Sequence, residues 1–269
     1  MMLLFSEYDK SLENIYISQP VVDINLGDTN NYLVRFPKFK RITHMILAFD
    51  AENLFLKSKS SYGYFFNLES LLNDLEEREN KGYFVVAVTS NSSRQKQYNP
   101  YPRGEQENFA TNHIESILEN HLPQIYGDYD IDVGNLKKIV MGASMGGLMS
   151  IKTGILNPSF ENIISLSPAF WFGFPGIVND INNLNKKSIC NLSVGTKEGN
   201  IFGDQVKNIF PKEWDLDFSN NNDFYISGVK KIEEELKLNN IKTNFVFKEK
   251  GQHNETHWNP ILREFLVSI

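Results

Sequence analysis

The chain has 269 residues, 41% of them apolar and 22% charged, with a formal net charge of −6. That is long and apolar enough to bury a sizeable core, which excludes a disordered chain, and the acidic excess argues against a nucleic-acid partner. The single cysteine, Cys190, excludes an intrachain disulfide and a Cys-rich metal site, and is expected as a small packed core residue.

No apolar run reaches the ~20 residues that cross a bilayer. The opening Met1-Met2-Leu3-Leu4-Phe5 is shorter than the roughly 7–15 apolar residues of a secretory h-region. The expectation is a cytoplasmic protein with no membrane partner; no oligomer interface is legible.

Residues 31–36 read as an antiparallel edge strand. The runs 42–49, 83–88, 136–141, 163–166, 189–194 and 243–247 read as further strands. Several are nearly continuous in apolar residues, as in strands covered on both faces. Helical periodicity marks 68–79, 105–121, 145–156, 223–238 and 257–267. The alternation predicts an α/β fold, a mainly parallel central sheet with helices on both faces. No Ser/Gly/Pro-rich linker and no internal repeat divides the chain, so one domain over 1–269 is expected. Residues 1–30 would be an N-terminal extension or edge strand. The irregular 201–222, with Pro211 and Trp214, would be an insertion near the site.

Between the strand at 136–141 and the helix at 145–156 stands Gly142-Ala143-Ser144-Met145-Gly146. This is the G-x-S-x-G spacing of a nucleophile elbow. A serine forced into a sharp strand-to-helix turn has a strained backbone, so positions two residues away must lack bulky side chains. The turn lifts the hydroxyl clear of the sheet. The N–H of the next residue, Met145, then points at a developing oxyanion near a helix start.

A serine hydroxyl needs a base, and histidine suits that task near neutral pH. His44 opens a strand and reads as structural, while His113 and His121 read as the solvated face of one helix. Lys250-Gly251-Gln252-His253-Asn254-Glu255-Thr256-His257-Trp258 follows the last strand. Gly251 places His253 in the loop at the strand's carboxyl end, whereas His257 falls inside the following helix, so His253 is the preferred base. An acid is needed between Ser144 and His253 to fix the imidazole. Glu198 follows the 189–194 strand, and Asp204, further along the same loop, is the alternative.

Four ordered stretches carry a resemblance: Gly142 to Leu148, Leu166-Ser167-Pro168-Ala169-Phe170-Trp171-Phe172, Val194-Gly195-Thr196-Lys197-Glu198-Gly199, and Gly251-Gln252-His253-Asn254-Glu255 with Trp258. From about Asn31 to the C-terminus the chain resembles the putative esterase family, which includes esterase D-like enzymes, siderophore trilactone esterases, feruloyl esterases and mycolyltransferases. The resemblance implies an α/β-hydrolase fold, no metal or other cofactor, and Ser144, Glu198 and His253 in the active-site positions. Leu47-Ala48-Phe49-Asp50-Ala51-Glu52-Asn53-Leu54-Phe55 resembles the family's strand ending in Asp-Gly-Gln-Asn-x-Phe. There it implies the N–H of Glu52 as second oxyanion donor, with Ala51 standing where glycine is usual.

The function expected is that of a serine esterase, a carboxylic ester hydrolase whose partner is a small-molecule ester. Phe170, Trp171, Phe172 and Phe174 follow a strand on the nucleophile's side and either line the substrate pocket or pack in the core. An acyltransferase would share the acyl-enzyme and differ in its acceptor, and a binding protein on a decayed hydrolase scaffold is the other alternative. A metal-dependent hydrolase fits poorly, because His-Asn-Glu-Thr-His is not H-E-x-x-H. Asp128-Tyr129-Asp130-Ile131-Asp132 fails as a calcium loop, having Val133 and Ile139 at the glycine and glutamate positions.

Overall fold

A computed structural model describes residues 3–24, 26–38, 40–102 and 107–269. In chain order the strands are β1 (Phe5–Glu7), β2 (Ile15–Ser18), β3 (Val21–Asp23), β4 (Asp28–Asn30), β5 (Tyr32–Arg35), β6 (His44–Phe49), β7 (Tyr83–Val88), β8 (Lys137–Ala143), β9 (Asn162–Leu166), β10 (Ile189–Lys197) and β11 (Lys242–Gln252). The helices are α1 (Leu68–Glu79), α2 (Arg94–Gln97), α3 (Phe109–Ser116), α4 (Leu122–Asp128), α5 (Met145–Leu156), α6 (Gly176–Asp180), α7 (Asn221–Leu238) and α8 (Glu255–Ser268). Strands β3 and β4 pair apart from the main sheet.

The main sheet has nine strands in the order β1-β2-β5-β7-β6-β8-β9-β10-β11. From β7 to β11 every pairing is parallel, and β1, β2 and β5 add antiparallel pairings on one side. The 31–36 strand is therefore antiparallel as expected but is not the edge: β2 covers it and β1 lies outermost. Those first two strands are only three and four residues long, too short for an alternating pattern to show in the sequence.

Alternate residues of β6 enter two separate cores. Met45, Leu47 and Phe49 pack with residues of α3, α5 and α7, while Ile46 and Ala48 pack with α1 and α8. All six residues of β6 and of β7 are buried, which explains their unbroken apolar runs. From β6 the chain runs to β7 on one side, then crosses to β8 on the other. Such a switch point opens a crevice at the carboxyl ends of the strands.

Three helix boundaries depart from expectation. The predicted start at Glu105 lies outside the described residues. The predicted stop at His121 is wrong, because a π-helical turn at Ile117–His121 carries α3 into α4 and sets Pro123 in the first turn of α4. Inside this continuous helix the proline lacks the N–H that would bond back one turn, and the wider π-helical turn stands immediately before it. Helix α8 begins at Glu255, ahead of the predicted 257, since Asn254 caps it by accepting the His257 N–H. His113 does not face solvent: it is buried, its Nδ1 3.3 Å from the Asp23 carboxylate, and the half-buried His121 packs against Tyr32 with ring centroids 4.9 Å apart and planes tilted by 44°. Cys190 is fully buried. Among the described residues no helix is long and apolar enough to cross a membrane.

Candidate active site

Ser144 occupies the turn between β8 and α5 with φ 55° and ψ −121°, a region that L-residues avoid. The flanking glycines are required by contact. A Cβ on Gly142 would lie 2.3 Å from the Gly146 carbonyl oxygen, and one on Gly146 would lie 2.9 Å from an Asp50 carboxylate oxygen. Backbone bonds lock the strained residue, its N–H donating to the Leu166 carbonyl at 2.9 Å and its carbonyl accepting the Ala169 N–H at 2.9 Å. Met145 begins α5, where first-turn N–H groups have no intrahelical acceptor.

His253 follows β11 directly. Its Nδ1 lies 2.9 Å from Glu198 Oε2, so the structure brings Glu198 to His253. Asp204 is exposed and accepts the N–H of its neighbour Gln205. His257 is also turned elsewhere, its Nδ1 accepting the Gln252 N–H at 2.6 Å. Among the described residues no group of three or more His, Cys, Asp or Glu side chains is arranged to hold a metal ion.

Glu198 is 1% exposed, and its other oxygen is saturated by donors. Oε1 accepts from the Ser167 hydroxyl at 2.7 Å and from the Gly195 N–H. Gly195 must be glycine, because a Cβ there would meet the Gly251 carbonyl at 2.4 Å and Glu198 Oε1 at 2.6 Å. Ser167 is a hub that sequence reasoning missed. Its hydroxyl also accepts the Trp258 indole N–H at 2.9 Å, and its carbonyl accepts the Tyr225 hydroxyl at 2.5 Å. Burial and the Glu198 charge push the Tyr225 phenol well above its usual range, which keeps it a donor. The His253 ring lies 4.7 Å edge-on from Trp258 and 5.5 Å from Tyr225.

Ser144 and His253 open into one cleft of about 460 Å³, within the size range of small-molecule sites. Its walls are Phe49, Tyr62, Tyr64, Phe66, Ile201 and Trp258, with Asp50, Asn53, Arg94 and Glu255 among the polar groups. Phe170, Trp171 and Phe172 are not part of this lining. Phe170 is fully buried under α7, where a Cβ on Gly228 would fall 2.1 Å from its ring, and Trp171 packs on Phe202 and Tyr225. Their expected pocket role gives way to core packing, because the short 3-10 turn at Phe170–Phe172 folds back beneath α7. The cleft's aromatic wall comes instead from the 62–66 loop, which carries no periodic signal.

Glu52 likewise does not line the cleft. In the 3-10 turn Ala51–Asn53, side chains three residues apart share a face, so Asp50 and Asn53 look into the cleft. The Glu52 carboxylate turns away and accepts from the Ser90 N–H at 3.1 Å and from the Ser90 hydroxyl. Burial, then the Asp50 charge, holds the Glu52 carboxyl above its usual range. The positive φ of this turn falls on Asp50, at 58°, and not on Ala51. Arg94 was not singled out from the sequence. It grips Asp50 with two parallel bonds of 2.7 and 2.8 Å and reaches the Met145 sulfur at 3.2 Å.

A nine-stranded sheet of this order, with a strained serine at a strand-to-helix turn and a His–carboxylate pair at the ends of later strands, defines the α/β-hydrolase class. The Putative esterase family model matches residues 26–268, and the chain belongs to that family. Solved structures share the fold at low identity. The siderophore hydrolase EstA from Aspergillus nidulans is 15% identical with a TM-score of 0.69, covering 100% of this chain and 98% of its own. The BES protein from Bacillus cereus is 17% identical at 0.68, covering 97% and 96%. The enterobactin and salmochelin hydrolase IroE is 14% identical at 0.64, covering 97% of each. No curated protein matches the sequence.

Proposed function

We propose that the protein is a serine-dependent carboxylic ester hydrolase working through an acyl-enzyme. The supporting observation is the sharing of one cleft by the strained Ser144 and by His253, whose far nitrogen is held by the buried Glu198. The Ser144 hydroxyl oxygen bonds to the ester carbonyl carbon while its proton passes to His253 Nε2. The resulting oxyanion is held by the N–H of Met145, at the open start of α5, and by the N–H of Glu52, which gives up its bond to its own carboxylate to do so. The carbonyl re-forms, the C–O bond to the alcohol breaks, and the imidazolium returns the proton to the departing oxygen. Water repeats the sequence on the acyl-enzyme, giving the acid and free serine. Glu198 fixes the imidazole tautomer, with the Ser167 hydroxyl and Gly195 N–H keeping it in place.

The test is intact mass after exposure to a fluorophosphonate, with chelator present throughout. One adduct on the wild type and none on Ser144→Ala is the expected result, together with chelator-insensitive hydrolysis of a short-chain ester. An adduct that persists on Ser144→Ala, or none on folded wild type, overturns the reading.

A further inference from the structure

We infer that the cleft selects esters bearing a positively charged alkylammonium group, which Glu255 and the surrounding aromatic faces hold. The inference rests on the serine-esterase reading and names the substrate class of that same site. Glu255 stands at the first position of α8, two residues beyond His253, and lines the cleft although only 5% exposed. Among the described residues no Lys, Arg or His pairs with its carboxylate, and the hydrogen bond it receives is from its own backbone N–H. An ionised carboxylate so placed is costly, and a cation delivered by a ligand would relieve that cost.

The cation already in the cleft does not perform this task. Arg94 is committed to Asp50 through two bonds, and the Asp50 charge acts on Glu255 more strongly than that of Arg94. The local field is therefore negative. Burial first, and the Asp50 charge after it, raise the Glu255 carboxyl from 4.5 to about 7. Around it, Trp258 and Phe66 stack with centroids 6.2 Å apart, and Tyr62 and Tyr64 stand at the mouth, 73% and 49% exposed. Aromatic faces attract alkylammonium ions, and a partly desolvated carboxylate among them adds direct ion pairing. An anionic ester would meet the unpaired Glu255 carboxylate with no uncommitted cation among the described lining residues, Arg94 and Asp50 being paired with each other, and a neutral one would gain apolar contact alone.

The discriminating experiment compares kcat/KM for acetylcholine, its uncharged isostere 3,3-dimethylbutyl acetate, and anionic 3-sulfopropyl acetate, on wild type and Glu255→Gln. The expected wild-type preference for the cation over its isostere is about tenfold or more, falling toward one in Glu255→Gln. The anionic ester should be the poorest of the three. A wild-type ratio near one, or a ratio that Glu255→Gln leaves unchanged, overturns the inference. Calorimetric binding of phenyltrimethylammonium needs no turnover, so it decides the cation site separately from the serine reading. Binding about tenfold weaker in Glu255→Gln, with an unshifted near-ultraviolet circular dichroism spectrum, supports the inference; equal binding overturns it.

Discussion

Ser167 shows how one small side chain can hold a site together. Its hydroxyl donates to Glu198 and accepts from Trp258, and it does so from a backbone held at φ 44°. Ser167→Ala leaves the buried indole N–H without its acceptor and removes one of the donors to Glu198. The expected cost is about 1–3 kcal/mol of stability, measured by urea unfolding. A loss of kcat larger than any change in KM should accompany it, because the affected group orients the base and does not touch substrate. An unchanged kcat would show that the Gly195 N–H alone suffices to place Glu198. Legibility at this scale divides by cause. The turn at Ser144 is visible in sequence because sterics demand glycine at 142 and 146; no such demand marks Arg94, and Ser167 and Glu255 fall within stretches that carry the family resemblance without a role being readable for either. Their importance lies in partners brought from distant strands, and no local pattern records that.

At the scale of elements, the strands buried on both faces were readable as apolar runs, and α1 and α5 coincide with their periodic stretches. What escaped were pieces whose placement depends on tertiary contact: the division of residues 1–30, expected as an extension or edge strand, into β1 to β4, the π-helical turn before Pro123, and the outer end of β11. That edge strand continues to Gln252 through exposed Lys248, Glu249 and Lys250, residues that interrupt its hydrophobic pattern. Such charges also discourage pairing with another chain. Helix α7 carries Gly228 in its interior, at an intrinsic cost of about 1 kcal/mol relative to alanine. The Phe170 ring fills the space a Cβ would need, at 2.1 Å. Gly228→Ala should therefore destabilise in spite of its better helix propensity, since overpacking of this kind costs about 1–3 kcal/mol. A lowered thermal midpoint is the expected outcome, and a raised one would mean that the Phe170 turn yields freely.

For the whole molecule, two buried groups set opposing dependences on pH. His44, at the start of β6, is held at about 4 by burial and by Lys137 and Lys81, against an ordinary value of 6.5, with Glu79 opposing. Its folded pKa is depressed, so its contribution is present above pH 6.5 and is lost as pH falls towards 4. Glu255 lies the other way, raised from 4.5 to about 7 by burial and Asp50, with Arg94 opposing and His253 close in sequence. Its contribution is full below pH 4.5 and is lost as pH rises through 7. Each shift corresponds to at most about 3.4 kcal/mol, reduced by solvent screening at these partly accessible groups. Removing the titration with His44→Gln should flatten the fall in unfolding free energy between pH 6.5 and 4 relative to wild type. Parallel curves for the two proteins would assign acid lability to other groups.

The central position of β8 and the outer position of β11 also set an order in time. A chain is made from its N-terminus, so the taut serine turn is synthesised well before the histidine that would activate it. Between those moments, β8 and α5 can pack against β6 and β9 while the hydroxyl still lacks a proton acceptor. On the proposed mechanism the nascent protein is chemically silent, and competence arrives with the pairing of its outermost parallel strand.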